Sequence, residues 1–277
     1  QYPQKNYTIN LQADPNLTKL SEDNDWILNA SYIDKTMMRH AFSYQLMRAM
    51  TGDSLSAPST EFVEVKVNHE YQGLYLLHPR IDRSFLDLKK SGSLFKDPPI
   101  FRRDFELETL EKEDPYHQKY PDLDEGDRNI RLDSIKQQFL QSDLCDNEEI
   151  FNYFDKNSIL NWHLLLLTTH GSDGLLKNFY LYQKGKKAPF KICIWDYDHS
   201  FGRDGDNELN QDTTVLDLSR NWLLSSLLKC DDYKAELTRL YLNHRQGPLQ
   251  TDRMIATLDE MYEKNRQAIY INGEKWP

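Results

Sequence analysis

Two short polar segments in the second half of the chain carry the residue types of a phosphoryl-transfer site. The first runs from Asp173 to Asn178, and the second follows a buried-type strand and contains Asp196 and Asp198. Protein kinases place an Asp base and a metal-binding Asn five residues apart on one loop, and a second metal-binding Asp follows after a short β-hairpin. The order and spacing of the residues therefore predict the same chemistry here.

The chemistry explains why these residue types are needed. Transfer of the γ-phosphoryl group of ATP requires a hydroxyl held in line, an acceptor for its proton, and a divalent ion that neutralises the phosphates. Mg²⁺, the expected ion with Mn²⁺ as the alternative, takes oxygen ligands. We predict that Asn178, Asp196 and Asp198 are its ligands and that Asp173 is the base. His199 is a further candidate ligand, although imidazole suits softer metals better.

The elements around these segments are predicted from their apolar patterns. An apolar helix over residues 158–169 leads to the first segment, and a buried strand over 192–195 leads to the second. Residues 179–183 and 190–195 have the pattern of a hairpin, with Gly and Pro in the turn between the two strands. A strand end of this kind brings its polar residues to the mouth of a cleft.

At this point the chain resembles the CotH kinase family, whose founding member is a bacterial spore coat protein. The resemblance covers nearly the whole chain. It comprises a Lys-Asn-Tyr strand at 5–11, a helix start at 31–39, a strand–turn–strand unit at 61–77 and, as the most specific agreements, the segments 173–178 and 195–204.

The resemblance implies an α+β fold of the atypical protein-kinase-like, two-lobed kind. Residues 1–80 would form a small β-rich lobe that lacks its upstream strands, and residues 81–277 a larger, mainly helical lobe with an acidic insert at 104–149. The family is described as phosphorylating Ser on coat or surface proteins. The implied location is therefore the spore coat, an extracytoplasmic compartment or the cell surface.

Residue roles also follow from the resemblance where the motifs match. Asp173 would be the catalytic Asp, Asn178 and Asp196 would hold the metal, and Lys5 would contact a phosphate of ATP.

The hinge between the two lobes is predicted at residues 78–81, where backbone groups would meet the adenine of ATP. Since Pro79 has no N–H, Leu77 or His78 must supply the hydrogen bonds to the base.

Two features depart from the family pattern. There is no Gly before Gly52, where the family has an Arg-Gly-rich segment. The predicted helix at 35–50 contains no acidic residue, although kinases pair a strand lysine with a helix Glu. Either Glu64 supplies that charge or Lys5 acts alone. Two alternatives therefore stay open: a non-catalytic structural coat or adhesion protein, and an enzyme that transfers AMP on the same fold.

The negative charge of the chain is concentrated in one segment. Residues 104–149 contain 15 acidic and 5 basic residues, a surplus equal to the whole formal charge of −10. The sequence therefore does not predict nucleic acid as a partner, because binding to its phosphate backbone requires clustered Lys and Arg. An acidic segment near a kinase cleft would attract a basic, Ser-rich protein substrate. The other interpretation is a solvated, partly disordered insert.

The remaining predictions are structural. No apolar run approaches the ~20 residues that a membrane-spanning helix needs. The three cysteines, Cys145, Cys193 and Cys230, predict neither a zinc site nor a disulfide framework, and we interpret them as small buried apolar residues.

Three polar residues near the predicted helices are expected to have structural roles. Asp34 has the position of an N-cap, Arg39 that of a solvated or salt-bridged side chain, and His170 that of a structural histidine. Further helices are predicted at 134–141, 222–229, 231–243 and 251–270.

Overall fold

The structure is a computed structural model that describes residues 2–10, 25–105, 116–122, 131–146, 148–204, 208–209 and 216–277. It is a mixed α+β protein with two four-stranded antiparallel sheets, a two-stranded ribbon and several helices. The predicted α+β class is therefore confirmed. The division into lobes at residue 80 stays a prediction.

The first sheet is built from the N-terminal part of the chain in the order β1-β2-β4-β3. Its strands are β1 (Tyr7–Asn10), β2 (Asp25–Asn29), β3 (Glu61–Val67) and β4 (Glu70–Pro79). The predicted strand at 5–11 and the predicted hairpin at 61–77 are confirmed with these bounds. The turn of the hairpin, Asn68-His69, has positive φ at both residues, as tight hairpin turns require. Strand β2 was not predicted.

Helix α1 (Arg39–Thr51) starts four residues later than the sequence predicts. The N-cap position is Met38, so the prediction that Asp34 is the N-cap is wrong in position. The Asp34 carboxylate nevertheless accepts a hydrogen bond from the backbone N–H of Arg39 at 3.0 Å. A tight turn over 31–37 carries Asp34 back to the helix start. Of the two roles predicted for Arg39, solvated or salt-bridged, the structure shows the second, because its guanidinium pairs with the same carboxylate.

The second sheet has the order β6-β5-β7-β8. Its strands are β5 (Ser93–Lys96), β6 (Gln118–Tyr120), β7 (Phe179–Gln183) and β8 (Lys191–Ile194). The predicted hairpin between the two polar segments is confirmed as β7 and β8, which pair Phe179 with Ile194. Strands β9 (Arg203–Asp204) and β10 (Glu208–Leu209) form the separate ribbon.

Helices cover the second sheet and account for most of the second half of the chain. The predicted helix over 158–169 is α4, which begins two residues earlier and ends where predicted. The bounds of α2, α5, α6 and α7 differ from the prediction by a few residues at their ends, and the short helix α3 was not predicted. The helices are α2 (Arg131–Phe139), α3 (Ile150–Tyr153), α4 (Lys156–Thr169), α5 (Trp222–Leu227), α6 (Asp231–Arg245) and α7 (Thr251–Lys275).

The main hydrophobic core lies between α1, α4, the helices that follow and one face of the second sheet. Trp162 of α4 contacts Phe179 at the start of β7, with ring centroids 5.3 Å apart. Both side chains are fully buried. This packing holds the middle of α4 against the start of β7, and the first polar segment connects these two elements.

Two cysteines depart from the prediction. Cys145 and Cys230 form a disulfide across 85 positions of the chain, which the sequence did not predict. Cys230 is buried as predicted, whereas Cys145 is exposed. The pairing depends on where the loop after α2 meets the start of α6, which the spacing of cysteines does not reveal. Cys193 of β8 is free and buried, as predicted.

The acidic insert contributes apolar residues to the core, whereas several of its described carboxylates, such as Asp143 and Glu148, are exposed. Residues 106–115, 123–130 and 147 lie outside the described part of the chain. The rest includes β6 and α2, and it contributes Tyr116, Leu132 and Phe139 to the main core. The interpretation as a solvated insert is therefore wrong for these residues.

The end of α7 binds the first sheet. The side chain of Asn272, which is 7% exposed, accepts hydrogen bonds from the backbone N–H of Leu74 at 2.8 Å and from the side chain of Gln4 at 3.3 Å. Gly73 of β4 has φ +125°, and a Cβ there would lie 2.5 Å from the Asn272 oxygen. The close approach of helix and strand therefore requires glycine at this position.

None of the helices in the described ranges is long and apolar enough to cross a bilayer.

We expect Asn272→Ala to lower the free energy of unfolding by about 1–3 kcal/mol, because the backbone N–H of Leu74 in β4 loses its acceptor and the buried side chain of Gln4 loses one of its two acceptors. Asn265→Ala on the same helix is the matched control. The Asn265 amide bonds only a carbonyl of its own helix, and both substitutions gain the same helix propensity. Urea unfolding followed by circular dichroism measures the difference, and equal midpoints for the two variants would contradict the role of Asn272.

Candidate active site

A single carboxylate, Asp97, connects the two polar segments. It follows β5, and its Oδ1 accepts hydrogen bonds from the backbone N–H of Asn178 at 2.7 Å, from that of Phe179 at 3.3 Å and from the indole N–H of Trp195 at 2.9 Å. Asp97 was missed in the sequence analysis. The Asp-Pro-Pro run after a strand marks a chain turn, but nothing in it indicates which donors the carboxylate meets.

Asn178 and Asp196 are bound to each other directly. The side-chain Nδ2 of Asn178 donates to the backbone carbonyl of Asp196 at 2.9 Å, and the backbone N–H of Trp195 donates to the carbonyl of Asn178 at 3.2 Å. Both Asn178 and Asp196 have positive φ, at 62° and 58°. Such backbone conformations are costly for residues other than glycine and occur where neighbouring structure enforces them, often at functional sites.

Helix α1 contributes two side chains to the second segment. His40 and Tyr44 lie four residues apart and so project from the same face of the helix. Nε2 of His40 is 3.1 Å from Oδ1 of Asp196, and the backbone N–H of Asp196 donates to the Tyr44 hydroxyl at 2.9 Å. The sequence left open whether Glu64 supplies the acidic charge that this helix lacks or Lys5 acts alone. In the structure α1 presents a histidine to the aspartate, and Glu64 is exposed on β3.

His40, Asp196 and Asp198 form a compact group of potential metal ligands. One ligand atom from each residue lies within 4.8 Å of the others. His40 was missed because a lone histidine in an amphipathic helix is indistinguishable in sequence from a core residue. Asn178 is next to this group but reaches it through the backbone of Asp196, and its role as a ligand stays a prediction.

The charges of this group act on one another. Burial opposes ionisation of Asp196, but the hydrogen bond and charge of His40 outweigh burial, so the pKa of Asp196 lies below its usual value. Burial raises the pKa of Asp198, and the charge of Asp196 adds to the shift. Burial lowers the pKa of His40, but the hydrogen bond to Asp196 and the two nearby carboxylates raise it above the usual value.

Asp173 lies in a short 3₁₀ turn, Asp173–Leu175, directly after α4. Its Oδ2 is 2.9 Å from the ammonium group of Lys177 and 3.8 Å from Nδ1 of His199. Burial alone would lower the pKa of Lys177, but the hydrogen bond and charge of Asp173 raise it. Lys177 was not singled out in the sequence, although its position four residues after Asp173 was visible there. His170 ends α4 with a positive φ, in the structural role predicted for it.

Two cavities meet at Asp196. The first, which we call the acidic cavity, has a volume of 510 Å³ and contains Asp173, Asp198 and Asp196. Lys5, Lys177 and His199 also line it. The structure thus brings the predicted base, two predicted metal ligands and the predicted phosphate-binding lysine to one cavity.

The second, which we call the aromatic cavity, has a volume of 660 Å³ and is lined by Tyr180, Trp195, His78 and Asp196, with several basic side chains. Lys96 Nζ lies 3.8 Å from the centre of the Trp195 ring. Burial lowers the pKa of His78 to about 4, so this histidine is neutral near pH 7. The two cavities share Asn6, Asn29 and Asp196.

Leu77 differs from the other predicted site residues. It is buried inside the first sheet, in register with Leu28 on one side and Glu61 on the other. Leu77 is not among the described residues that line either cavity, whereas His78 is. A larger cavity of 710 Å³ between α4, α6 and α7 is mainly apolar and contains none of the predicted site residues.

Comparison with known proteins identifies the family of the chain. The family model described as CotH kinase protein matches residues 1–277, so the chain belongs to the CotH kinase family. The inner spore coat protein H of Bacillus subtilis (strain 168) is 26% identical over 261 residues, which cover 90% of this chain and 69% of that protein. The family expected from the motifs is confirmed, and the relative is a spore coat protein as the resemblance implied.

We expect Asp97→Asn to lower the free energy of unfolding by about 1–3 kcal/mol, since three N–H donors lose a charged acceptor. Asp87→Asn is the control. Asp87 also has φ 50°, but its carboxylate is exposed and makes a long surface ion pair with Lys184, at 3.5 Å. Its loss should change stability by less than about 0.5 kcal/mol. Denaturant unfolding of both variants measures the effect. If the two lose the same stability, Asp97 does not hold the two segments together.

Proposed function

We propose that this protein is an ATP-dependent protein kinase that transfers the γ-phosphoryl group to Ser or Thr. The proposal includes a two-lobed, kinase-like arrangement in which the first sheet with α1 forms the smaller lobe. One observation carries it: Asp196 stands at the junction of two cavities, one with the predicted base and the other with an aromatic wall.

The aromatic cavity suits the nucleoside part of ATP. Trp195 and Tyr180 offer flat apolar surfaces, and their rings lie 6.0 Å apart in a T-shaped arrangement. His78 is held neutral by burial and lines the same cavity, so it remains the better of the two predicted hinge residues. The triphosphate would then extend past Asn6 and Asn29 towards Asp196 and the acidic cavity.

The acidic cavity suits the phosphates, a divalent ion and the acceptor hydroxyl. Asp196 and Asp198 supply hard oxygen ligands of the kind that Mg²⁺ or Mn²⁺ takes, and their carboxylates lie close enough to share one ion. When bound, the ion neutralises charge on the phosphates. Asn178 orients Asp196 through its backbone carbonyl.

Asp173 is placed to accept the proton of the substrate hydroxyl. Lys177 holds its carboxylate at 2.9 Å in this structure. A phosphate anion entering the acidic cavity would attract Lys177 and Lys5, which both line it, and so leave the Asp173 oxygen available to the hydroxyl. Positioning and charge stabilisation supply most of the catalysis in phosphoryl transfer.

The location that we propose is the spore coat, and the substrate is a coat protein. The inner spore coat protein H relative supports the location. A basic, Ser-rich substrate is proposed from the surplus of carboxylates at 104–149.

An assay with ATP labelled at either phosphorus tests the reaction. The full chain is incubated with a basic Ser-rich protein, Mg²⁺ or Mn²⁺, and ATP carrying the label at the γ or the α position. We expect γ-label transfer that falls by about 10²–10⁴-fold in Asp173→Asn, because the base is lost, and at least as far in Asp196→Asn. Asp252→Asn, exposed at the start of α7, is the control and should retain full activity.

Each other outcome selects an alternative. Transfer of the α label identifies an AMP-transferring enzyme, and transfer of neither label identifies a non-catalytic coat or adhesion protein. Activity that survives Asp173→Asn would contradict the assignment of the base.

Replacing the acidic residues between 106 and 127 by their amides tests the choice of substrate. We expect KM for a basic peptide to rise several-fold at low salt and to match the unmodified protein at high salt, since exposed charges are screened. A neutral peptide with the same acceptor site is the control. If KM for the basic peptide does not change at low salt, the acidic segment does not attract the substrate.

A further inference from the structure

We propose that His40 is a direct metal ligand, together with Asp196 and Asp198. The site would bind ions that accept nitrogen donors, such as Mn²⁺, Co²⁺ or Zn²⁺, more tightly than Mg²⁺, and would do so before ATP arrives. This inference deepens the proposed function and rests on it for what the bound ion does, whereas the binding itself can be measured in the absence of any reaction.

The spacing of the three residues fits a coordination shell. Two donors at about 2.1 Å from an ion are about 3.0 Å apart at right angles and about 4.2 Å apart on opposite sides. His40 Nε2 and Asp196 Oδ1 are 3.1 Å apart, as adjacent ligands would be. All three ligand atoms lie within 4.8 Å of one another. This limit is slightly larger than the spacing of ligands around one bound ion, and a small side-chain rotation would bring the atoms to that spacing.

The histidine ring is held in place by packing and has one nitrogen directed at the carboxylates. His40 is 1% exposed, and its ring meets that of Tyr44 edge-on with centroids 5.9 Å apart. Among the described residues, Nδ1 has no hydrogen-bond partner. Nε2 is the nitrogen that faces Asp196, with the amide of Asn29 at 3.5 Å. The polar contacts of this buried ring are therefore made through the nitrogen that points into the metal group.

The ligand chemistry decides which ion is preferred. Mg²⁺ is hard, selects oxygen and retains its waters, so an imidazole adds little to its binding. Imidazole is a good ligand for later divalent ions, whose affinities rise from Mn²⁺ towards Cu²⁺. A set of one imidazole and two carboxylates fixed on α1 and after β8 therefore favours those ions. Asp196 faces both cavities and Asp198 lines the acidic cavity, so coordination positions stay open towards water and phosphate.

A competing role for His40 is to orient Asp196 by a hydrogen bond without contacting metal. The two roles differ in what a substitution does. Loss of an orienting residue weakens binding of every ion alike, whereas loss of a nitrogen ligand weakens binding of Mn²⁺ and leaves Mg²⁺ nearly unchanged.

Metal titration of the nucleotide-free full chain separates these roles. Binding of MnCl₂ is followed by electron paramagnetic resonance of the free ion, and binding of MnCl₂ and MgCl₂ by calorimetry. We expect one site with Mn²⁺ at least about tenfold tighter than Mg²⁺. His40→Asn should weaken the binding of Mn²⁺ at least about tenfold, since even loss of a residue that only supports a ligand typically lowers metal affinity that much. Asp196→Asn should weaken the binding of both ions.

His69→Asn is the matched control, because His69 is exposed in the β3–β4 turn, where its positive φ also suits Asn. This variant should bind both ions like the unmodified protein. Pulsed electron paramagnetic resonance of the unmodified protein loaded with Mn²⁺ gives a second measurement that needs no variant. A coordinated imidazole nitrogen produces a ¹⁴N coupling in this spectrum.

Several results would overturn the proposal. They are absence of the ¹⁴N coupling, equal affinity for Mn²⁺ and Mg²⁺, an equal loss for both ions in His40→Asn, or no metal binding without nucleotide. Each leaves the proposed kinase activity standing if γ-label transfer with Mg²⁺ is observed. Conversely, Mn²⁺ binding through nitrogen without any label transfer would remove the proposed function and retain the metal site.

Discussion

The hydrogen bonds to the Asp97 carboxylate hold together the two ends of the hairpin that separates the two polar segments. One oxygen receives the backbone of Asn178 and the indole of Trp195, which belong to opposite ends of the β7–β8 hairpin. A charged acceptor with several donors forms stronger bonds than a neutral one. The hairpin is therefore closed at its base, and Asn178 and Asp196 are kept at positive φ within hydrogen-bonding distance of each other.

The metal-binding end of that hairpin also depends on α1. Tyr44 accepts the backbone N–H of Asp196, and His40 contacts its carboxylate. The site is thus shared between the second sheet and the helix that connects β2 to β3 of the first sheet. The position of α1 is fixed in turn by Asp34 and Arg39, whose guanidinium also donates to the carbonyl of Ser200 at 3.0 Å, two residues after Asp198. A shift of α1 would consequently change the metal group directly.

Helix α7 and the residues after it bind the first sheet. Asn272 on α7 bonds the edge of β4 at Leu74, and the indole of Trp276 donates to the carbonyl of Gln72 at 2.8 Å. Helix α7 begins beside α4 and α6 and ends on the first sheet. It therefore connects the part of the chain that carries Asp173 to the part that carries Lys5 and His40, and this contact limits how far the two can move apart.

The sequence by itself determined the local elements and the order of the reactive residues. Helix α4 and the β7–β8 hairpin follow from apolar periodicity and turn residues, which act between near neighbours, and the phosphoryl-transfer motif follows from residue types at fixed spacing. Tertiary structure decided the rest. Asp97, His40, the Cys145–Cys230 disulfide and the contact of Asn272 with β4 all join residues that are far apart in the chain. Their geometry depends on how whole elements pack, because a partly buried carboxylate or a buried imidazole is placed by its surroundings and leaves no periodic pattern in the sequence.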